Sequence, residues 1–240
     1  MEKYYRSRPR DAAAEQIECY LCENGLKAGD RLPSERDMCG RWGFNRTTLR
    51  SAIHRLIVEG VLINRVGSGT FVAPKKLVCN LQDLRAFSVV VAESGRSLEN
   101  RLVTAQMIEC SKPLAQKLKQ PLGHRIFEMM RVRVVDSVPV LLETSYVDAE
   151  RCRGIEQYDF EAGSLYATLE RDYGIALKNG IEKLGVTYAG TDEAQLLEVP
   201  EGSPLIHRVG IAEDFDGVPV EYFKSVARSE YLRFASVLTR

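Results

Sequence analysis

Asn45-Arg-Thr-Thr-Leu-Arg-Ser-Ala-Ile-His-Arg-Leu-Ile-Val-Glu-Gly60 decides how the first third of this chain folds. Asn45 is a strong N-cap and Gly60 a strong stop, so the stretch between them predicts a helix. Leu49, Ala52, Ile53 and Leu56 recur at helical spacing and form one apolar face, while Arg46, Thr47, Arg50 and His54 fall on the opposite side. A helix that presents two arginines and a threonine from its first turns suits the major groove of DNA. There Arg reads guanine edges, and Thr or Asn reaches bases or phosphates. Taken alone, the same pattern describes a solvated surface face equally well.

The neighbours of this helix shift that balance. Upstream, residues 11–24 carry Ile17, Cys19, Tyr20 and Leu21 and predict a first helix that stops at Asn24-Gly25. Leu26 to Pro33 reads as a loop. Ser34 then caps a second, short helix ending near Trp42-Gly43, with Glu35 and Asp37 in its first turn. Arg36 sits in the same turn against the helix macrodipole, which disfavours a cation there; a bound phosphate would account for it. Downstream, Val61–Arg65 and Thr70–Val72 are β-rich runs joined by Val66-Gly-Ser-Gly69, a hairpin whose small tip can approach a minor groove or phosphates. Three helices followed by a hairpin are a winged helix-turn-helix pattern.

At 240 residues the chain exceeds the roughly 150 of a typical domain, so two modest domains are expected. Its 45% hydrophobic and 28% charged content excludes a disordered tail and a fibrous repeat. The longest apolar runs, such as Val138-Pro-Val-Leu-Leu142, are strand-length and far short of a membrane helix. The N-terminal Met1-Glu-Lys-Tyr-Tyr-Arg6 has no apolar stretch of a secretory signal. Six cysteines are too sparse for a disulfide scaffold and fit a reducing cytosol, so a cytoplasmic location is expected. Net charge is zero, yet residues 1–76 hold 14 basic against 9 acidic side chains and the remainder 19 against 24. A basic module joined to an acidic one suggests that the first meets a polyanion.

Pro74-Lys-Lys76 and the polar-broken stretch that follows read as a linker, placed at 75–85, between a first domain at 1–74 and a second at 86–240. The second contains an internal repeat. Ala115-Gln-Lys-Leu118, Pro121, Gly123 and Ile126 recur 79 positions later as Ala194-Gln-Leu-Leu197, Pro200, Gly202 and Leu205. Each copy leads into two β runs around a turn, Asp136-Ser-Val-Pro-Val140 and Asp216-Gly-Val-Pro-Val220. This predicts one antiparallel sheet built from two related halves and flanked by helices such as 164–173, giving an α+β fold overall.

Three clusters in that domain carry candidate chemistry. Alternation puts Arg131 and Arg133 on one face of a strand, where two like charges need an anion or carboxylates between them. Glu143 on the return strand could satisfy them as a structural salt bridge; a phosphate or carboxylate site is the alternative, and the residues alone do not choose. Ser164 in Gly163-Ser-Leu-Tyr166 opens a helix, where it can cap or where free backbone N–H groups can meet an anion. Glu221-Tyr222 follows the second turn, with Arg228 further along. Cys19-x-x-Cys22 is half a zinc motif without a second half, and it fits small hydrophobes on one helix face better. His54, His124 and His207 are isolated, and no P-loop or GxGxxG occurs. No cofactor, no metal site and no enzymatic activity are expected.

Leu32-Pro-Ser-Glu-Arg36, Asn45-Arg-Thr-Thr-Leu-Arg50, Val58-Glu-Gly60 and Gly67-Ser-Gly-Thr-Phe-Val72 resemble, in order and spacing, the winged helix of GntR-type bacterial transcription regulators. The resemblance implies that Arg36, Asn45, Arg46, Thr47, Thr48 and Arg50, with wing residues Gly67, Ser68 and Gly69, contact operator DNA. Arg131-Val-Arg133, Val138-Pro-Val140, Glu143, Ser164-Leu-Tyr166, Tyr173-Gly-Ile175, Gly217-Val-Pro-Val-Glu-Tyr222 and Arg228 resemble the UTRA effector domain of the HutC subfamily, a fold related to chorismate lyase. In relatives that sense phosphorylated amino sugars, the positions of Ser88, Arg131, Arg133, Glu143, Ser164, Tyr166 and Glu221 hold the ligand. Such relatives often carry an aromatic where this chain has Ala227.

The resemblance implies a cytoplasmic homodimeric regulator, a repressor released from double-stranded operator DNA by a small anionic effector, with a phosphosugar favoured and no membrane partner. A carboxylate effector (an amino-acid metabolite or fatty acid) and a chorismate-lyase-like enzyme are the alternatives.

Overall fold

The computed structural model describes residues 8–65, 67–81 and 84–236; the N-terminal stretch 1–7, Val66 of the wing and residues 82–83 of the expected linker lie outside it. The chain divides into two compact units after Lys76.

The first unit holds α1 (Pro9–Glu23), α2 (Glu35–Trp42), α3 (Arg46–Glu59), β1 (Leu62–Arg65) and β2 (Gly69–Val72). Helix α1 starts two residues earlier than its sequence suggests, because Pro9 at the first turn has φ already set for a helix and no N–H to waste. Leu49, Ala52, Ile53 and Leu56 of α3 are buried against Ala13, Ile17 and Leu21 of α1 and Met38 of α2. Each such leucine or isoleucine contributes about 1.5–3 kcal/mol by leaving water. The Arg55 guanidinium ties the two long helices together, donating to Asp11 at 2.7 Å and to Glu59 at 2.7 Å. The segment expected as a loop up to Pro33 ends as an extra strand on the wing: Leu32 N donates to Thr70 O at 2.9 Å and Arg31 bridges to Phe71. Cys19 and Cys22 face solvent, not the apolar core expected of them.

The second unit opens with β3 (Leu77–Asn80), which falls inside the stretch read as a linker and pairs in parallel with β10 (Leu232–Ala235). Between them run α4 (Phe87–Glu93), β4 (Leu98–Glu109), α5 (Lys112–Leu118), β5 (Arg125–Val135), β6 (Val138–Asp148), α6 (Leu165–Tyr173), β7 (Leu177–Tyr188), α7 (Thr191–Leu197), β8 (Pro204–Asp214) and β9 (Pro219–Arg228). Strands β4 to β9 form one antiparallel sheet in the order β4-β5-β6-β9-β8-β7.

That order is the sequence repeat made visible. Strand, short helix and hairpin occur twice, and the two copies meet along β6 and β9. The correspondence reaches single hydrogen bonds: Gly123 N donates to Cys110 O at 3.0 Å, and Gly202 N to Ala189 O at 2.8 Å. Lys119 and Glu198, again 79 positions apart, close α5 and α7 in the left-handed conformation, each with φ +54°.

Apolar residues cover both sheet faces. On one, Phe127, Met129 and Val147 pack under Leu165 and Leu169 of α6; on the other, Val132, Leu142 and Val226 pack under Ala194 and Leu197 of α7.

Candidate functional site

In the first unit, Asn45 accepts from Thr48 N at 2.8 Å and so caps α3, while Ser34 caps α2 by accepting from Asp37 N at 3.2 Å. With α3 anchored by Leu49 and Leu56, Arg46, Thr47, Arg50 and His54 stand exposed on its outer side and Thr48 is half-buried. Arg46 and Arg50 converge on one acceptor: both Nε atoms donate to Glu35 Oε2, at 3.3 and 2.8 Å. Glu35 at the start of α2 therefore holds two solvent-facing cations, 74% and 61% exposed, in a common direction. Arg36 is exposed and makes no ion pair among the described residues. At the wing, Arg31 lies beside Gly69, whose φ of +111° and lack of a side chain leave room for that guanidinium.

In the second unit, a cavity of about 100 Å³ lies against the α6-bearing face of the sheet, walled also by residues 79–81, 84–87 and 90. Cross-strand register builds its floor: Arg131 of β5 lies opposite Glu143 of β6, Glu143 opposite Ser225 of β9, and Ser225 opposite Arg208 of β8. Glu143 Oε1 accepts from Arg133 Nη2 at 2.8 Å and from Arg131 Nη2 at 3.4 Å. Arg131 also donates to Phe160 O at 3.3 Å, and Arg133 to Asn100 Oδ1 at 2.7 Å. Burial would push the Glu143 carboxyl up, but Arg133 and Arg131 overcome it and bring it down to about 2. Burial and the Arg133 charge bring the Arg131 guanidinium down to about 10. Beside them the Tyr166 hydroxyl donates to Glu221 Oε2 at 2.6 Å. Burial, then the nearby Glu143, raises the Glu221 carboxyl above its ordinary range. The cavity is thus a largely buried, charged box with its own internal counter-ions.

Residues 9–72 match the family described as bacterial regulatory proteins, gntR family, and residues 93–233 match the UTRA domain. The chain is a GntR-family regulator with a UTRA domain. It is 30% identical over 228 residues to the HTH-type transcriptional repressor NagR of Bacillus subtilis (strain 168), covering 94% of this chain and 93% of that one. It is 25% identical over 209 residues to a protein of Escherichia coli (strain K12) named "Probable fructoselysine utilization operon transcriptional repressor", covering 87% of this chain and 86% of that one. The crystal structure of PhnF from Mycobacterium smegmatis matches it with a TM-score of 0.70 at 26% identity, over 95% of this chain and 99% of that one. The GntR-family regulator is accordingly a DNA-binding transcription regulator, and the enzyme alternative is set aside.

The regulator brings six of its eight expected effector positions to one cavity: Arg131, Arg133, Glu143, Ser164, Tyr166 and Glu221. Ser164 caps α6, its Oγ accepting from Ala167 N at 3.5 Å, and still lines the cavity. Ser88, on α4, lines a neighbouring groove that shares Ser164 and Tyr166. Arg228 does not belong. Strand alternation turns it to the opposite sheet face from Glu221 and Ser225, where it donates to Pro139 O at 3.3 Å and Leu197 O at 3.2 Å. It fastens the end of α7 to the start of β6 instead.

Three participants had no sequence signal strong enough to find them. Glu35 read only as a helix-start acid, Arg31 as loop, and Arg208 as one more strand residue. Arg208 and its partner Glu182 line the same cavity, joined by two hydrogen bonds, Nε to Oε1 at 2.6 Å and Nη2 to Oε2 at 2.8 Å. An inward arginine on a strand is a usable signal only once the strand's buried face is known.

Proposed function

We propose that this regulator is a cytoplasmic homodimeric repressor whose winged helix grips operator DNA and whose UTRA cavity takes a small anion, with a phosphosugar favoured, to release it. Arg46, Thr47 and Arg50 read base edges. Arg36 and the wing residues Gly67, Ser68 and Gly69 meet phosphates, and Asn45 and Thr48 fix the start of α3 while offering their outer edges to the backbone. The observation that carries the effector reading is the pair of buried arginines, Arg131 and Arg133, facing one carboxylate. The two arginines share a single oxygen of Glu143, and a phosphate is a group that takes charge-assisted bonds from both. A relative named for fructoselysine utilization adds support for a sugar-derived ligand.

A sugar phosphate needs more room than about 100 Å³, so binding must spread the cavity walls. A ligand that demands such a change binds two states of the protein with different affinity, which is what release of DNA requires. Dimerisation suits a winged helix because each protomer reads one half-site. The outer edge of β7, with exposed Ile181, Val186 and Tyr188, is a surface that a second copy of this chain would cover.

Calorimetry with sugar phosphates and their unphosphorylated sugars, on the parent and on Arg133→Ala, tests the reading together with an operator-release assay. Phosphate-dependent binding that Arg133→Ala abolishes supports it. Equal binding of phosphorylated and unphosphorylated sugars, or full affinity in Arg133→Ala, refutes the phosphate and leaves a carboxylate effector as the better account.

A further inference from the structure

The cavity has a second charged wall that the family positions do not include. Arg208 sits between two rings, its guanidinium carbon 4.7 Å from the Phe234 centroid and 5.4 Å from that of Phe223. Phe223 can lie there only because residue 210 is glycine, since a Cβ on Gly210 would come within 2.4 Å of the ring. Glu182 occupies Nε and Nη2 of Arg208 and leaves Nη1 without a hydrogen bond among the described residues. Arg131 and Arg133 each make one hydrogen bond from each terminal nitrogen, which leaves a second N–H on each of those nitrogens. Arg133, which lines the same cavity, keeps a buried and unpartnered Nε. A cavity with a cationic wall on either side and unpartnered guanidinium nitrogen is suited to a ligand with an acidic group at each end.

Arg131 and Arg208 lie three strand spacings apart on one cross-strand row, so a ligand that spans the cavity meets a cationic wall at either end.

We infer that Arg208, with Glu182 as its resident counter-ion, forms a second anion subsite that reads a carboxylate, so that the effector is a phosphorylated sugar acid. The Arg131–Arg133 wall takes the phosphate and Arg208 Nη1 the carboxylate. This rests on the phosphosugar reading of the same cavity and narrows it.

Three probes separate the two: 6-phosphogluconate, glucose 6-phosphate and gluconate, titrated calorimetrically into the full chain. The parent should bind 6-phosphogluconate at least about tenfold tighter than glucose 6-phosphate, the effect of one added charge-assisted contact. Arg208→Gln should erase that ratio, the loss falling mainly on 6-phosphogluconate. Should Arg208→Gln fail to fold, Glu182→Gln carries the test in the other direction: removing the resident carboxylate should tighten 6-phosphogluconate severalfold more than it tightens glucose 6-phosphate. Equal affinity of the two phosphates in the parent, or an unchanged ratio in both variants, overturns the Arg208 subsite alone. Gluconate binding as tightly as 6-phosphogluconate, or none of the three binding, overturns the phosphate reading and the subsite with it.

Discussion

Replacing Glu143 by Gln removes the one carboxylate that Arg131 and Arg133 share while keeping its size. Holding the Glu143 carboxyl near 2 instead of 4.5 corresponds to about 3 kcal/mol in favour of the folded state. Bringing the Arg131 guanidinium from 12.5 to about 10 corresponds to a cost of about the same size. The cluster is therefore near break-even in the parent and strongly unfavourable once Glu143 is neutral, as expected when one member of a buried ion pair is lost. Glu143→Gln should lose about 3 kcal/mol at pH 7, an urea midpoint lower by about 1–2 M. Because the folded carboxyl titrates below the unfolded one, its contribution is complete above about pH 4.5 and fades as pH falls toward 2. The gap between parent and variant should shrink to about 1 kcal/mol at pH 3. Inorganic phosphate should raise the variant's midpoint more than the parent's, since it replaces the missing charge. Urea unfolding followed by circular dichroism at pH 7 and pH 3 checks this. A difference below about 0.5 kcal/mol at pH 7, or one that does not narrow at pH 3, refutes an ionised Glu143 as the counter-ion of the two arginines.

Glu35→Gln should leave stability within about 0.5 kcal/mol, because its pairs with Arg46 and Arg50 are solvent-exposed, yet it should tighten binding to non-operator DNA and narrow the operator-to-random ratio in a salt titration. Gly210→Ala should destabilise the second unit by about 2 kcal/mol or more, since the new methyl meets both the Phe223 ring and the Ile181 carbonyl; thermal melts would show it. Lys119→Gly and Glu198→Gly should each stabilise by about 0.5–1 kcal/mol in urea titrations by relieving a left-handed backbone, and by similar amounts because the two caps are equivalent.

The winged helix was legible in the sequence because its signals are local: Ser34 and Asn45 as caps, Gly43 and Gly60 as stops, and an apolar stripe on α3. The two-fold plan of the second unit was legible for a different reason, the 79-residue spacing of its helix and turn residues. Cavity residues on one strand, such as Arg131 and Arg133, followed from alternation. What stayed hidden depended on which strand lies beside which. Arg208 shares a cross-strand row with Glu143 only because β8 and β6 flank β9, and nothing in residues 204–214 announces that neighbour. Arg228 stands on the other sheet face by parity alone, for it is an odd number of residues from Glu221 on a regular strand. Glu35 escaped because its partners are 11 and 15 residues away on another helix.

The line where β6 meets β9 joins the two halves of the sheet through pairs running from Leu141–Ala227 to Val147–Glu221. On the cavity side, Arg131, Arg133 and Glu143 come from one half, while Arg208, Glu221 and Phe223 come from the other. A molecule that touches both walls is therefore a stitch across the seam. It should slow the exchange of the β6–β9 amide hydrogens more than those of the outer hairpins, because opening the seam would mean tearing the ligand loose at one end. Two copies of one small fold, each an incomplete shell, become a single cooperative body at the place where a signal is received.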